Sequence, residues 1–492
     1  MKNLSGLWMA SLLSVLGLAA GGDDLRIVEA VRDGDQETVR SLLEQQVDVN
    51  TSQPDGATAL HWAAHRSDLE TADLLIGAGA NVNAMNDYGV TPLSLASTNG
   101  SAWMVEKLLR VGADPNAAQP FGETPLMTAA RTGSVDVVRA LLVHGARVNG
   151  KEKRRGQTAL MWAVSENHPR VAGLLIEHGA DVRGRSESGF TPLLFAARGG
   201  HLNSARLLLE AGANLNTTAP DGMSPLLMAS ASGHQDLSIF LLDQGADPNA
   251  ADEYGTTALH YALQKGMSTL TRVELSYFNA YLYRPNMVEL VKALLAHGAD
   301  SNARLEKTQR FGNLGILVRL EGATPFLLAA SVGDVGLMRV LINGGADPLQ
   351  ATHQNVTPLM VAAGLGRTWD RTKEEEKGTL EAVKLALELG SDVNGSSVNG
   401  RSSGIGVGRR RSVKLGLQPG NQGVGGGFIG SWHAGRWHGT GLDFAQHLFP
   451  HRGAFADFLY IHLIQHESCR AEFLVVTGDA EAIQDRSLGG AV

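Results

Sequence analysis

The stretch GFTPLLFAARGGHLNSARLLLEAGANLN, residues 189–216, contains the signals for two short helices and the turns around them. Thr191 followed by Pro192 predicts a helix start, because a threonine oxygen can cap free backbone N–H groups and proline at the first helical position loses no hydrogen bond. Gly199 and Gly200 predict the end of this first helix. Gly212 predicts the end of a second helix, because glycine readily adopts the left-handed conformation that closes helices.

Apolar residues in the same stretch predict which helix faces are buried. Leu193, Ala196 and Ala197 recur at helical spacing and form a small-residue face against which a neighbouring helix can pack closely. Leucine and alanine recur at the same spacing from Leu202 to Leu209, which predicts an apolar face on the second helix. Residues 214–222 are rich in Asn, Asp, Pro and Gly and predict a turn.

The same pattern recurs along the chain at a nearly constant step. The glycine before each helix start is followed by the next after 33 residues, except for one step of 34 residues between Gly122 and Gly156. These glycines are Gly56, Gly89, Gly122, Gly156, Gly189, Gly222 and Gly255, and the pattern returns at Gly322 and then at Asn355. Such a period indicates stacked supersecondary units, none of which can bury its apolar face alone.

The helix starts TALHWA at 58–63 and TALHYA at 257–262, with exits such as GANVN at 79–83, make the chain resemble the ankyrin repeat family. The resemblance implies an all-α solenoid of helix-turn-helix units with short β-hairpin-like fingers. It also implies that His61 and His260 hydrogen-bond the turn backbone. At the next position, core packing is expected of Trp62, Trp162, Phe195 and Tyr261.

The repeat pattern divides the chain into segments. Residues 24–52 have both helices but no Thr-Pro-Leu start, which is typical of an N-terminal capping repeat. About nine units follow over residues 53–394, with insertions near 265–286, 303–321 and 366–378. The first insertion holds four aromatic residues that either grip a partner or pack on their own loop, and alternating apolar residues in the second predict a longer hairpin. The aromatic residues are Tyr277, Phe278, Tyr281 and Tyr283.

Composition fits this architecture. Apolar residues make up 43% of the chain but aromatic residues only 5%, as expected of helices packed through Leu and Ala. The formal net charge of −8 argues against general binding to nucleic acid or anionic membranes. Cys469 is the sole cysteine, which excludes an internal disulfide.

The first twenty residues predict a secretory signal peptide. Lys2 precedes an apolar run from Leu7 to Ala20 that ends in small residues. The run is short for a membrane span, so no span is expected after signal removal, and the mature protein is predicted to be periplasmic or extracellular, of exported bacterial type. The alternative is a buried N-terminal helix.

Residues 395–492 lose the repeat pattern and become a Gly-rich, irregular tail. One interpretation is an out-of-frame reading of a chain that once continued repeating; the other is a genuine low-complexity or disordered segment. Short motifs at 400–404 and 425–430 lack the strand-and-helix context that their chemistry requires. His462, His466 and Cys469 share one face of a possible helix, but no general base accompanies them, and no metal site or cofactor is predicted.

The predicted function is a non-catalytic scaffold that binds an unidentified protein, with the chain acting as a monomer. The family resemblance implies contacts from the finger tips and the first-helix ends on the concave face; these are His65, Arg66, Tyr88, Phe121, Arg131, Arg154, Arg155, Arg198 and Tyr254. The basic sequence at 151–155 suggests that part of the partner is acidic, unless it is merely a solvated loop. Two other classes stay open: an exported enzyme or toxin whose repeats present a C-terminal part, and a purely structural envelope protein.

Overall fold

A computed structural model describes residues 25–263, 286–307, 319–365 and 373–393. The predicted signal peptide, the tyrosine-rich part of the first insertion, the alternating residues at 314–318 and the whole Gly-rich tail lie outside these residues. The described part holds twenty helices in ten successive pairs, with only two isolated antiparallel bridges and no β-strand. The predicted all-α repeat fold is therefore confirmed.

Each pair consists of a first and a second helix. The first helices are α1 (Arg26–Asp33), α3 (Ala59–Arg66), α5 (Pro92–Thr98), α7 (Pro125–Thr132), α9 (Ala159–Ser165), α11 (Pro192–Gly199), α13 (Pro225–Ser232), α15 (Ala258–Ala262), α17 (Pro325–Val332) and α19 (Pro358–Ala362). The second helices are α2 (Gln36–Glu44), α4 (Leu69–Gly77), α6 (Ala102–Arg110), α8 (Val135–Val143), α10 (Pro169–Glu177), α12 (Leu202–Glu210), α14 (Gln235–Asp243), α16 (Val288–Ala296), α18 (Val335–Asn343) and α20 (Lys373–Glu388). Repeats are numbered one to nine from the α3–α4 pair, and the α1–α2 pair, predicted to be a capping repeat, is called the cap.

The first helices begin where the Thr-Pro pattern predicts. Thr191 has extended backbone geometry at the N-cap of α11, and its hydroxyl accepts a hydrogen bond from the Leu194 N–H. Pro192 is the first helical residue, and Gly200 ends the helix with a φ of 72°. The predicted helix start and end are both confirmed.

Small residues on the first helices allow those helices to lie close together. Leu193, Ala196 and Ala197 are at most 1% exposed, and α11 packs against both α9 and α13. Second helices form a separate layer in the same way, for example α8 between α6 and α10. One continuous apolar core thus runs between the two layers.

The turn before each first helix forms a hairpin-like finger. In the second repeat, Asn86 N–H donates to Val90 O at 3.0 Å, and Gly89 N–H donates to Asn86 O at 2.8 Å. This pattern places Gly89 in the left-handed region, with a φ of 71°. A Cβ atom there would also lie 2.5 Å from Pro120 Cδ of the next finger. The periodic glycine is therefore needed for both backbone conformation and finger contact.

Backbone hydrogen bonds connect successive fingers. Asp87 N–H donates to Asp55 O, Lys153 N–H to Phe121 O and Glu187 N–H to Arg155 O, at 2.7–2.8 Å. The series continues at Glu253, Glu306 and His353. Pro120 and Pro220 occupy the corresponding donor position in fingers three and six, and proline has no N–H to give. The finger edge is thus divided into three hydrogen-bonded groups.

Asparagine side chains connect the repeat exits in a second series. Asn83 Nδ2 donates to Gly112 O at 2.9 Å, while Asn83 Oδ1 accepts from Asp114 N–H at 2.8 Å. Asn50, Asn116, Asn149, Asn249 and Asn302 make the same pair of bonds to the next repeat. Leu349 takes this position in the eighth repeat, so no amide there can bind the ninth.

We expect Asn83→Ala to lower the free energy of unfolding by about 1 kcal/mol, because one exposed side chain supplies two hydrogen bonds between repeats. Chemical denaturation of the purified variant measures this loss. Asn203→Ala is the matched control, since Asn203 is exposed on α12 and alanine favours a helix there. Equal stability of the two variants would show that the amide series contributes nothing.

The two ends of the array differ from its middle. In the cap, Ile27, Val28 and Val31 are buried and α1 packs on α3. The last second helix, α20, has 16 residues, whereas each of the other second helices has nine. Its start at Lys373 places residues 373–378, interpreted from sequence as the end of an insertion, inside a helix.

Candidate functional site

Five of the nine predicted contact residues come together on the fingers and first helices of repeats three to five. Three further aromatic residues lie beside these five, and we call all eight residues the arginine–aromatic patch. Its members are Phe121, Arg131, Arg154, Arg155, Trp162, Phe190, Phe195 and Arg198.

Two arginines of the patch cross from one repeat to the next to cover an aromatic ring. The Arg154 guanidinium carbon lies 5.2 Å from the centre of the Phe121 ring, which is 61% exposed. Arg131, on α7, lies 5.3 Å from the centre of the Trp162 ring on α9. Both distances fall within the range of favourable cation–π contact. The contacts place both cations beside aromatic rings at the surface.

Arg198 is held by two rings of its own repeat. Its guanidinium carbon lies 5.5 Å from the Phe190 ring and 5.1 Å from the Phe195 ring, and the two rings lie 5.5 Å apart. Partial burial, together with the charge of Arg155, lowers the pKa of Arg198. Two like charges in one patch favour an anion beside them.

The basic finger at 151–155 is built around a buried carboxylate. Glu152 is 6% exposed, and its oxygens accept from the backbone N–H groups of Arg154, Arg155 and Gln157 at 2.6, 2.8 and 3.0 Å. Lys151 Nζ donates to Arg185 O and Lys153 Nζ to Pro120 O. These bonds give the finger a defined conformation, while the side chains of Lys151, Lys153, Arg154 and Arg155 are exposed.

We expect Glu152→Ala to open this finger, because three backbone donors lose a charged acceptor, at a cost of about 2 kcal/mol. Hydrogen–deuterium exchange should rise at residues 153–158 and stay unchanged at the second finger, residues 86–90. Glu187→Ala is the control, because this carboxylate is exposed on the neighbouring finger and the three N–H groups donate to Glu152. Unchanged exchange at 153–158 would contradict the role given to Glu152.

The other predicted contact residues lie apart from the patch. His65 packs edge-on against Trp62, and Arg66 donates to Arg32 O of the cap. Tyr88 is 69% exposed on the second finger. Tyr254 lies on the seventh finger, where the charge of Glu253 is the main cause of its raised pKa. The seventh finger is acidic, whereas the patch is basic.

His61 and His260 hold turns together, as predicted. His61 Nδ1 accepts from Thr58 N–H at 3.1 Å, and Nε2–H donates to Val90 O of the next repeat at 3.0 Å. His260 binds Thr257 and Ala323 O in the same way. Burial lowers the pKa of His61, and lowers the pKa of His260 to about 4. The uncharged imidazole is the form that fits these bonds.

Sequence reasoning missed the part that Trp162 and Phe190 take in the site. Trp62 and Trp162 are partly buried and pack against the core, and Phe195 and Tyr261 are 4% and 8% exposed, as expected of core residues. The signal in the sequence is the single step of 34 residues before Gly156, which marks a longer finger next to Trp162.

Clusters of metal ligands and membrane-spanning helices are both absent from the described part of the chain. No group of three or more His, Cys, Asp or Glu side chains there could hold a metal ion. His462, His466 and Cys469 lie outside it. None of its helices combines the length and apolar character needed to cross a bilayer.

Comparison with known families finds repeated matches. A family model described as ankyrin repeats in three copies matches residues 27–119, 111–186, 152–219 and 193–273. A model of a single ankyrin repeat matches residues 321–353. These matches cover more than half of the chain. A search of curated proteins finds no match.

Proposed function

The chain belongs to the ankyrin repeat family, whose arrays generally mediate protein–protein interaction, and from this we propose that it is a non-catalytic scaffold whose partner binds the fingers and first-helix ends. The arginine–aromatic patch is the proposed centre of that contact. Fold alone does not name a partner, so the proposal depends on what the patch offers.

The observation that supports the proposal most is the packing of arginines on aromatic rings at an exposed surface. Arginine and large aromatic side chains contribute most of the binding energy in many protein interfaces. Arg154 on Phe121 and Arg198 on Phe190 combine the two types within neighbouring repeats. Phe121 would lose its large exposed surface to a partner, and burying an apolar ring stabilises the complex.

The test is capture of a partner by the immobilised full-length protein from extract of the source organism. A Phe121→Ala/Arg154→Ala/Arg198→Ala variant removes three anchors of the patch. The control is Trp103→Ala/Val143→Ala, because these side chains are 79% and 74% exposed on the second helices. We expect a protein retained by the wild type and by the control, but not by the patch variant.

Other outcomes contradict parts of the proposal. If the control loses the captured protein and the patch variant retains it, the binding face is the second-helix layer. If the wild type specifically retains no protein at all, the scaffold function itself is wrong. Circular dichroism melting of both variants establishes that they are folded.

Export and a monomeric state are part of the same proposal. The predicted signal peptide at 1–20 supports export to the periplasm or the exterior of the cell. N-terminal sequencing of the protein isolated from its natural source tests this, and a retained Met1 would contradict it. Light scattering after gel filtration gives the oligomeric state.

A further inference from the structure

Two hydrogen-bond donors at the centre of the arginine–aromatic patch have no acceptor. Arg131 Nε and Trp162 Nε1 are both buried, and neither has a partner within the described part of the chain. A buried N–H group without an acceptor costs about 1–3 kcal/mol. An acceptor that reached both donors would therefore gain more binding energy here than at an ordinary exposed donor.

The same helix position in other repeats shows how such a donor is normally paired. In the first repeat, Trp62 Nε1 donates to Gln53 Oε1 of its own finger at 3.1 Å. In the seventh repeat, the Tyr261 hydroxyl donates to Asp252 Oδ2 at 2.7 Å. The side chain at the base of the finger is the acceptor in both cases.

In the fourth repeat the side chain at the base of the finger binds the finger backbone and not the ring of Trp162. Glu152 stands where Gln53 and Asp252 stand, at the residue whose N–H closes the finger. Its two oxygens accept from the finger backbone, as described above, because the finger is one residue longer and exposes additional N–H groups. Within the described residues, the Trp162 indole N–H is thereby left without an acceptor.

The side chain that covers this donor is held weakly. Arg131 lies over the Trp162 ring, and its ion pair with Glu123 is a 3.4 Å contact from Nη2 to Oε1. Glu123 Oε1 also accepts from Thr128 Oγ1 at 2.9 Å. A guanidinium can therefore turn outward to a stronger anionic partner, and this movement uncovers the Trp162 N–H.

The charges around the donors favour an anion. Arg154, Arg155 and Arg198 lie in the same patch, and Glu152 points into its own finger. Glu123 pairs with Arg131, and Glu166 and Glu187 are exposed on repeats four and five, so the four arginines of the patch exceed these three carboxylates. Arginines stacked on rings keep their N–H edges available for a planar carboxylate.

We propose that the patch binds an acidic segment of the partner protein, in which one Asp or Glu carboxylate accepts from Arg131 Nε and Trp162 Nε1. A second acidic residue of the segment contacts Arg198 and Arg155, and an apolar residue covers Phe121. This inference rests on the proposed scaffold function and adds the chemistry of the partner.

The test measures binding of a fluorescein-labelled peptide of alternating Glu and Leu to the full-length protein by fluorescence anisotropy. The same peptide with Gln in place of Glu is the first comparison, and should bind far more weakly. Binding of the Glu peptide should also weaken as salt is added, because charged contacts are screened.

Trp162→Phe keeps the ring and removes the N–H, and should weaken the Glu peptide about tenfold, the effect expected for loss of one buried hydrogen bond to a charged group. Trp62→Phe is the matched control, because its indole N–H is already paired within the protein, and should bind like the wild type. Arg131→Gln should weaken binding at least as much as Trp162→Phe. Melting curves show whether each variant is folded.

Several results would overturn the inference. Equal binding of the Glu and Gln peptides would show apolar recognition, and equal binding by Trp162→Phe and the wild type would show that the donor pair takes no part. A labelled single-stranded oligonucleotide that bound more tightly than the Glu peptide, and lost affinity on Arg131→Gln, would assign the patch to nucleic acid. Capture of a natural partner through the patch, with no binding of the Glu peptide, would leave the scaffold function standing and reject only the acidic segment.

Discussion

Lowering the pH from 6.5 to 4 is expected to reduce the free energy of unfolding by about 3 kcal/mol through His260 alone. The pKa of this histidine falls from its usual 6.5 to about 4 because the side chain is fully buried. Each pKa unit corresponds to about 1.4 kcal/mol between the two protonation states. Protonation would also place a hydrogen on Nδ1, facing the Thr257 N–H.

The direction follows from proton binding in the two states. Between pH 6.5 and 4 the unfolded chain binds a proton at residue 260 and the folded chain does not, so acid favours unfolding. Above pH 6.5 residue 260 is mostly uncharged in both states, so the stability that acid removes is fully present there. The pKa of Asp35 is lowered from its usual 3.8, mainly by a hydrogen bond from Thr38, so the stability that Asp35 contributes is lost only below that value. The pH ranges in which His260 and Asp35 affect stability are therefore separate.

Urea denaturation at a series of pH values measures the effect. His260→Leu is the informative variant, because Leu194 and Leu227 occupy the same position in the fifth and sixth repeats. The variant is expected to be less stable at neutral pH, through loss of two hydrogen bonds, but to show a flatter profile from pH 6.5 to 4. Parallel profiles for the variant and the wild type would contradict the prediction.

Ala163→Leu is expected to destabilise the array by about 3 kcal/mol. Ala163 is 0% exposed on α9, which packs between α7 and α11. Three additional carbon atoms there must force side chains from their rotamers or separate the first helices. Thermal unfolding followed by circular dichroism gives the loss.

Ala211→Leu is the control for Ala163→Leu, since it makes the same substitution at an exposed residue after α12 and should change stability by less than about 0.5 kcal/mol. Separated first helices would also move Arg131 on α7 away from Trp162 on α9. The Ala163→Leu variant should therefore bind the Glu peptide more weakly, even at temperatures where it is folded. A variant as stable as the control would show that the first helices are not closely packed.

The fold could be predicted from the sequence because each local signal has one structural solution. Thr191-Pro192 starts a helix, Gly189 adopts a positive φ in the finger, and Ala196 and Ala197 fit only a close helix contact. Each of these signals acts within a few residues, and their repetition along the chain predicts the remaining repeats. The length of α20 was not predicted, because its first residues follow an insertion with no repeat pattern.

The candidate site was predicted only in part. Exposure of finger tips follows from the repeat frame, so Phe121 and Tyr88 were identified as exposed residues. The pairing of Arg131 with Trp162 was not predictable, because it joins side chains of two repeats. Nor was the orientation of Glu152, which depends on a competition between the finger backbone and an indole N–H for the same carboxylate.

The prolines in the finger series have a mechanical consequence for the patch. Fingers three, four and five are joined to each other by backbone hydrogen bonds, while Pro120 and Pro220 remove the equivalent bonds on either side. The patch therefore lies on one group of hydrogen-bonded fingers, and the contact between fingers at each end of this group lacks a backbone hydrogen bond. When the array bends, we expect the fingers to separate at Pro120 and Pro220, while the distances between the arginines of the patch stay unchanged. The fingers on either side can then adjust to a partner without moving the patch residues relative to each other.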